Sequence, residues 1–379
     1  MNDIGLYLHI PFCRSKCPYC DFCSFPHPTD DVMAVYTDEL CRRIRVTGEK
    51  IAEDSRIGGI DTVYFGGGTP TLLPIDCVKQ LMYAVQESFA VLPDAEVTVE
   101  GNPAAASAEA LAAWRAGGVN RLSLGAQSAQ DAELRALGRL HRWGDVERTV
   151  ADARAAGIDN INLDFMLGIP HQTPATLADT LERAGSLAPQ HLSAYTLMLE
   201  EGTPYHRRGR AALGLPADED TADEQAVTLW ELASRTLAAA GYEHYEISNY
   251  AKAGYRSRHN LHTWQCHDYL GLGVAAHSCL YGERYAQSRD LAAFLRGEDI
   301  TESRTPADYE TESIMLALRL SDGIDYAAFE RRFGHSFTAT YGDRVAPLVA
   351  AGYMQDDGTR VRLTEKGFLV SNAVIGEVI

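Results

Sequence analysis

Four cysteines, Cys13, Cys17, Cys20 and Cys23, fall within eleven residues of the stretch "HIPFCRSKCPYCDFCSF". The first three are spaced C-x3-C-x2-C. A zinc site usually draws two well-separated pairs of ligands. A single tight run suits an iron–sulfur cluster better, because one loop can wrap three corners of a cubane. Three thiolates then leave one iron without a protein ligand, free to bind a substrate or cofactor as a Lewis acid and to pass it an electron. Tyr7, Phe12, Tyr19 and Phe22 surround the cysteines with aromatic bulk that would keep water away. Cys41, Cys77, Cys266 and Cys279 are isolated and read as buried apolar thiols. For Cys23 three readings stay open: neighbour of the cluster, weak ligand, or packing residue.

Other groups with chemical capacity lie further along. "FGGGTPT" (65–71) brings bare backbone close to a ligand, and no Lys-Ser/Thr follows to make it a Walker loop. "VEGNP" (99–103) supplies Glu100, an acceptor for an ammonium or ribose hydroxyls. "LGAQSAQDAELRALGRLH" (124–141) supplies Gln127 and Arg139, and "INLDFMLGIP" (161–170) supplies Asp164. Arg for a carboxylate, Asp and Gln for hydroxyls, and an acid for an amine form a set suited to a zwitterionic, hydroxylated ligand. His259, His262, His267 and His277 lie within nineteen residues, beside Trp264 and Tyr269. An imidazole for iron and aromatic walls are what a haem site needs. No C-x-x-C-H occurs, so c-type attachment is not indicated.

The elements that must position these groups alternate. "GLYLHI" (5–10), "DTVYFG" (61–66), "EVTVEG" (96–101), "NRLSLGA" (120–126), "NINLDFM" (160–166) and "HLSAYTL" (191–197) read as strands buried on both faces. Amphipathic stretches such as 31–46 and 177–188 lie between them. The pattern predicts an α/β fold with a parallel sheet, barrel-like or open. In either form ligands bind at the carboxyl ends of the strands, where the cysteines, the glycine run, Glu100, Gln127 and Asp164 all stand. A helix is predicted over about 221–240. From about residue 301 a compact helical stretch ends in two short strands around a "DDG" turn, a winged-helix-like pattern.

Composition narrows the function classes. Acidic residues number 52 against 34 Lys and Arg, a formal net charge of −18. This argues against nucleic acid as the main partner, and the C-terminal stretch is itself acidic. No run of about 18 apolar residues predicts a spanning helix. The N-terminus lacks the pattern of a secretory signal, so a cytoplasmic location with reduced thiols is expected.

"YLHIPFCRSKCPYCDF" resembles the signature of radical S-adenosylmethionine enzymes, and more narrowly of the oxygen-independent coproporphyrinogen III oxidase group, with landmarks in order along essentially the whole chain. The resemblance implies a partial (β/α)6 TIM-like barrel over 1–215, an extension over 216–300 carrying "HNLHTW", and a helical, winged-helix-like module over 301–379. It implies that Cys13, Cys17 and Cys20 hold a [4Fe–4S] cluster whose fourth iron is chelated by S-adenosylmethionine. Gly67, Gly68 and Thr69 would hold the methionine amine, and Glu100, Gln127, Arg139 and Asp164 would contact the same cofactor. Tyr7, Tyr19 and Met198 are further expected contacts.

Two functions fit that group. One is the oxidase, in which a 5′-deoxyadenosyl radical attacks the propionates of coproporphyrinogen III. The other is a haem chaperone that keeps the frame and delivers haem to acceptor proteins. Three features favour the chaperone. Only six residues precede Tyr7, whereas the oxidase usually carries an N-terminal extension. Asp21 and Phe22 stand where the oxidase continues Gly-Cys. "RHNLHTW" (258–264) resembles the H-N-x-x-Y-W haem motif, with His259 as its ligand and Thr263 replacing the usual Tyr. The expected partners are haem and haem-accepting proteins, respiratory and membrane-associated ones included, with a homodimer and peripheral membrane association as further expectations.

Overall fold

The computed structural model describes residues 2–302 and 304–379. Six parallel strands form its centre: β1 (Asn2–Ile10), β2 (Ile57–Gly67), β3 (Val91–Gly101), β4 (Arg121–Gln127), β5 (Asn160–Leu167) and β6 (His191–Thr196). They neighbour one another in sequence order. The long connections between them hold α1 (Asp30–Ala52), α2 (Ile75–Ser88), α3 (Ala108–Ala116), α4 (Asp131–Ala136), α5 (Trp143–Ala155) and α6 (Pro174–Ser186). Side chains set several of these helix starts: Thr29, Ser107 and Thr173 each accept a bond from a first-turn N–H, satisfying a donor that the helix itself leaves free.

Side chains alternate along each strand. On β1, Leu6, Leu8 and Ile10 are fully buried in the main hydrophobic core with the helices, while Tyr7 and His9 point the other way and line a cavity. On β4, Leu122, Leu124 and Ala126 pack outward into that core, and Arg121, Ser123, Gly125 and Gln127 face inward. The strands are largely buried on both faces, as their sequence suggested, but only the outer face is apolar. Their inner faces are polar, and residues from β2 to β6 wall one cavity, so the sheet is curled into a partial barrel.

Antiparallel strands extend the sheet at both margins, β7 (Glu243–Glu246) and β8 (Asn249–Ala251) beyond β6, and β9 (Tyr269–Leu272), β10 (His277–Leu280), β11 (Glu283–Ala286) and β12 (Thr305–Pro306) beyond β1, with β9 itself parallel to β1. Two further helices, α7 (Pro204–Arg208) and α8 (Glu219–Ala239), precede a short one, α9 (Arg258–Trp264). That helix packs under the amino ends of β1 and β2. The C-terminal module has its own core around Ile314, Phe329, Phe337, Val361 and Phe368, with a three-stranded sheet over its helices. Among the described residues no helix is long and apolar enough to cross a membrane.

Candidate functional site

The cysteine loop grows from the end of β1. Phe12–Cys13 pairs with Phe25–Pro26 in a two-stranded parallel ladder that ties the loop's two ends together. The glycine run is stitched beneath it: Gly68 N–H donates to Ile10 O at 2.9 Å and Thr69 N–H to Phe12 O at 2.8 Å. A Cβ on Gly67, whose φ is +107°, would stand 2.3 Å from the His9 ring, and one on Gly68 would stand 2.7 Å from Phe12 N. These glycines are required first for close packing against the loop.

Cys13, Cys17 and Cys20 line one cavity of about 380 Å³ together with Tyr19, Gly67, Gly68, Thr69, Glu100, Gln127, Arg139 and Asp164. All eight cysteines are free. Thr69 Oγ1 lies 3.5 Å from Cys13 Sγ, and Arg139 Nη1 lies 3.8 Å from Cys17 Sγ. Burial pushes the Cys20 thiol up to about 11 and raises that of Cys13, so loading a metal here must release protons. Among the described residues no three ligating side chains gather around one point.

The remaining walls suit S-adenosylmethionine. Arg139 is partly buried, its Nη2 donates to Gly125 O at 2.7 Å, and its Nε has no partner, which leaves a donor for a carboxylate. Glu100 accepts from Tyr64 Oη at 2.8 Å and from Gly67 N–H at 2.9 Å. Burial nevertheless pushes its pKa up to about 7, so an ammonium placed beside it would favour the ionised form. Asp164 accepts from Asn162 Nδ2 at 2.7 Å and Ser123 Oγ at 3.3 Å. Gln127 ends β4 with φ +64°, a left-handed turn that holds it at the cavity.

Met198 does not join this set. β6 stops at Thr196, Leu197 N–H still donates to Leu167 O at 2.8 Å, and the Met198 side chain is 68% exposed. The methionine in the wall is Met166 on β5. Also missed were Tyr64, Arg121, Ser123, Asn162, Ser193, Tyr195 and Asn260. Most of them occupy alternate positions of the strands, and that polar alternation was the signal available.

A second cavity of about 330 Å³ adjoins the first across Phe22, Gly67 and Glu100 and holds Tyr7, His9, Cys23, His259, Thr263, His277 and Arg289. Cys23 thus lies outside the cavity of the other three cysteines. His9 Nε2 bonds to Cys23 O at 2.8 Å and its Nδ1 to Tyr7 Oη at 3.0 Å. His259 rises from α9 beneath the barrel. Its Nδ1 bonds to Thr62 Oγ1 at 2.9 Å, and its ring stacks on Tyr64 at 4.9 Å. Burial lowers its pKa to about 3, which keeps the imidazole neutral and able to ligate a metal. Trp264 points elsewhere, with the Arg319 guanidinium over its ring.

Comparison with known proteins agrees with this architecture. Residues 7–184 match the family model of the radical SAM superfamily, and residues 305–370 match that of the HemN C-terminal domain. The chain is 34% identical to the heme chaperone HemW of Bacillus subtilis, over 98% of this chain and 97% of that one. It is 31% identical to the heme chaperone HemW of Haemophilus influenzae, over 99% and 97%. In fold it is similar to the coproporphyrinogen III oxidase HemN of Escherichia coli, with a TM-score of 0.85 at 23% identity over 99% of this chain and 90% of that one. The chain belongs to the radical SAM superfamily and, within it, to the HemW family.

Proposed function

We propose that this protein binds haem and passes it to acceptor proteins, on a frame that carries a [4Fe–4S] cluster and S-adenosylmethionine. Membership of the superfamily implies the cluster and the sulfonium cofactor. Cys13, Cys17 and Cys20 would hold the cluster, and Glu100, Gln127, Arg139 and Asp164 would bind the cofactor's polar groups. When bound, the pair supplies a site for reductive cleavage of the sulfonium. The observation that carries the haem reading is His259: a neutral imidazole, one nitrogen fixed by Thr62, set in a cavity wall beside the cysteine site. A bond to the other ring nitrogen is how proteins fix the tautomer and direction of a metal-ligating histidine.

The test uses one anaerobic, cluster-reconstituted preparation. Haem titration is expected to give a Soret shift that saturates at one equivalent and weakens in His259→Ala, whose brown chromophore stays intact. Cys17→Ser is expected to lose that chromophore. With coproporphyrinogen III, S-adenosylmethionine and a reductant, no decarboxylated product is expected. Product without tight haem binding would reverse the reading in favour of the oxidase.

A further inference from the structure

The first cavity has a floor that the cluster and its cofactor do not explain. Arg121, at the start of β4, is 2% exposed yet lines the cavity. Its Nε has no partner, and neither has the fully buried hydroxyl of Thr98, its cross-strand neighbour. The nearby carboxylates are engaged elsewhere, Glu100 with Tyr64 and Gly67, Asp164 with Asn162 and Ser123. Arg121 acts on both through space only. A buried cation without a contacting anion is costly, by several kcal/mol in general. Folds keep such a group where a ligand supplies the counter-charge.

Arg139 does not compete for the same ligand group. It is bonded at the level of Gly125, four residues above Arg121 and roughly 13 Å further along the strand. The two guanidiniums therefore address two anionic groups at different depths. The same cavity wall carries Glu100 and Asp164, already bonded to other groups, and the neutral side chains of Asn162, Ser193, Tyr195 and Asn260. A planar guanidinium fork with an unpartnered Nε matches a carboxylate.

We propose that the barrel floor is a carboxylate receptor centred on Arg121, which takes a carboxylate arm of a ligand entering the cavity from the cysteine end. Two sources share this chemistry: a propionate of haem, which rests on the function proposed above, and the methionine carboxylate of S-adenosylmethionine. The depth of Arg121 below Arg139 favours the propionate.

The test compares ligands with and without the carboxylate on the full-length, reconstituted protein. Haem is paired with haem dimethyl ester, and S-adenosylmethionine with its decarboxylated analogue. Wild type is expected to bind haem about ten- to a hundredfold tighter than the diester, the range of a charge-assisted hydrogen-bonded pair. R121Q is expected to bind both at the diester's affinity. R121K, which keeps the charge without the fork, recovers part of the gap. The brown chromophore reports that each variant has folded. If the gap appears only between the two sulfonium ligands and vanishes in R121Q, the receptor stands and its guest is the cofactor. If wild type shows no gap in either pair, or R121Q keeps it, the receptor is overturned and Arg121 merely holds water. If wild type binds no haem at all, the haem reading falls, and the sulfonium pair alone decides the receptor.

Discussion

Glu100 shows how much one inward position on a strand decides. Its carboxyl is buried, and burial pushes its pKa up to about 7 from an ordinary value of 4.5. In the unfolded chain the group ionises near that ordinary value; in the folded chain it stays protonated until about pH 7. Between those values the folded state holds more protons, so stability falls as pH rises through the window and is lowest above it. The full span is about 3 kcal/mol. In the cofactor-free protein Glu100→Gln is therefore expected to gain stability over wild type as pH rises from 4.5 to 7, by denaturant melts at matched pH. Glu246, also pushed up to about 7 by burial, adds a slope of the same sign that both proteins keep and that cancels in the comparison. A wild-type-to-variant difference that does not vary with pH would mean that Glu100 ionises normally in the fold.

At the scale of elements, the short helix α9 closes the amino end of the barrel. The Glu96 carboxylate, inward on β3, accepts the N–H groups of Arg258 and His259 at 3.1 Å each and meets Ser257 Oγ at 3.5 Å. Those donors have no partner within the helix. Gly5 leaves the room: a Cβ there would lie 3.5 Å from the His259 ring and 3.0 Å from Thr62 Oγ1. Glu96→Ala removes an anionic cap and strands buried donors, at a cost of about 2 kcal/mol. It is expected to speed amide exchange over 257–264 and to weaken the haem Soret signal, while the cysteine loop keeps its chromophore. Unchanged exchange would show that other contacts hold the helix. The sequence made the six strands and the cysteine loop legible, because each strand is a local run and the loop is a local motif. It did not show where α9 sits, since Glu96 lies more than 150 residues away along the chain and nothing local records that pairing. Met198, expected from the resemblance alone, lies two residues beyond the end of β6 with its side chain exposed.

At the scale of the whole molecule, the C-terminal module bears on the site through the same helix. It has a core of its own, yet it reaches back to the barrel's underside. Arg332 donates to Gln265 O at 3.1 Å and Cys266 O at 2.8 Å, the two residues that follow α9. Arg256, just before α9, bonds Asp322 of the module at 2.7 Å and also meets Glu243. The helix that carries His259 is thus held on one side by the barrel and on the other by the module, and its opening energy depends on both. An Arg bridging two carbonyls in a partly buried setting contributes about 1.5–3 kcal/mol. Arg332→Ala is accordingly expected to raise amide exchange over 258–267 and leave the protection of β2 to β5 as it was, because their hydrogen bonds and helix packing lie outside the interface. Haem affinity should fall by about tenfold, with an unchanged Soret maximum, since the ligand is still present and only its support has loosened. Equal loss of protection across the barrel would show instead that module and barrel unfold as one unit; no change around α9 would show that the module rests on the barrel without bracing the His259 helix.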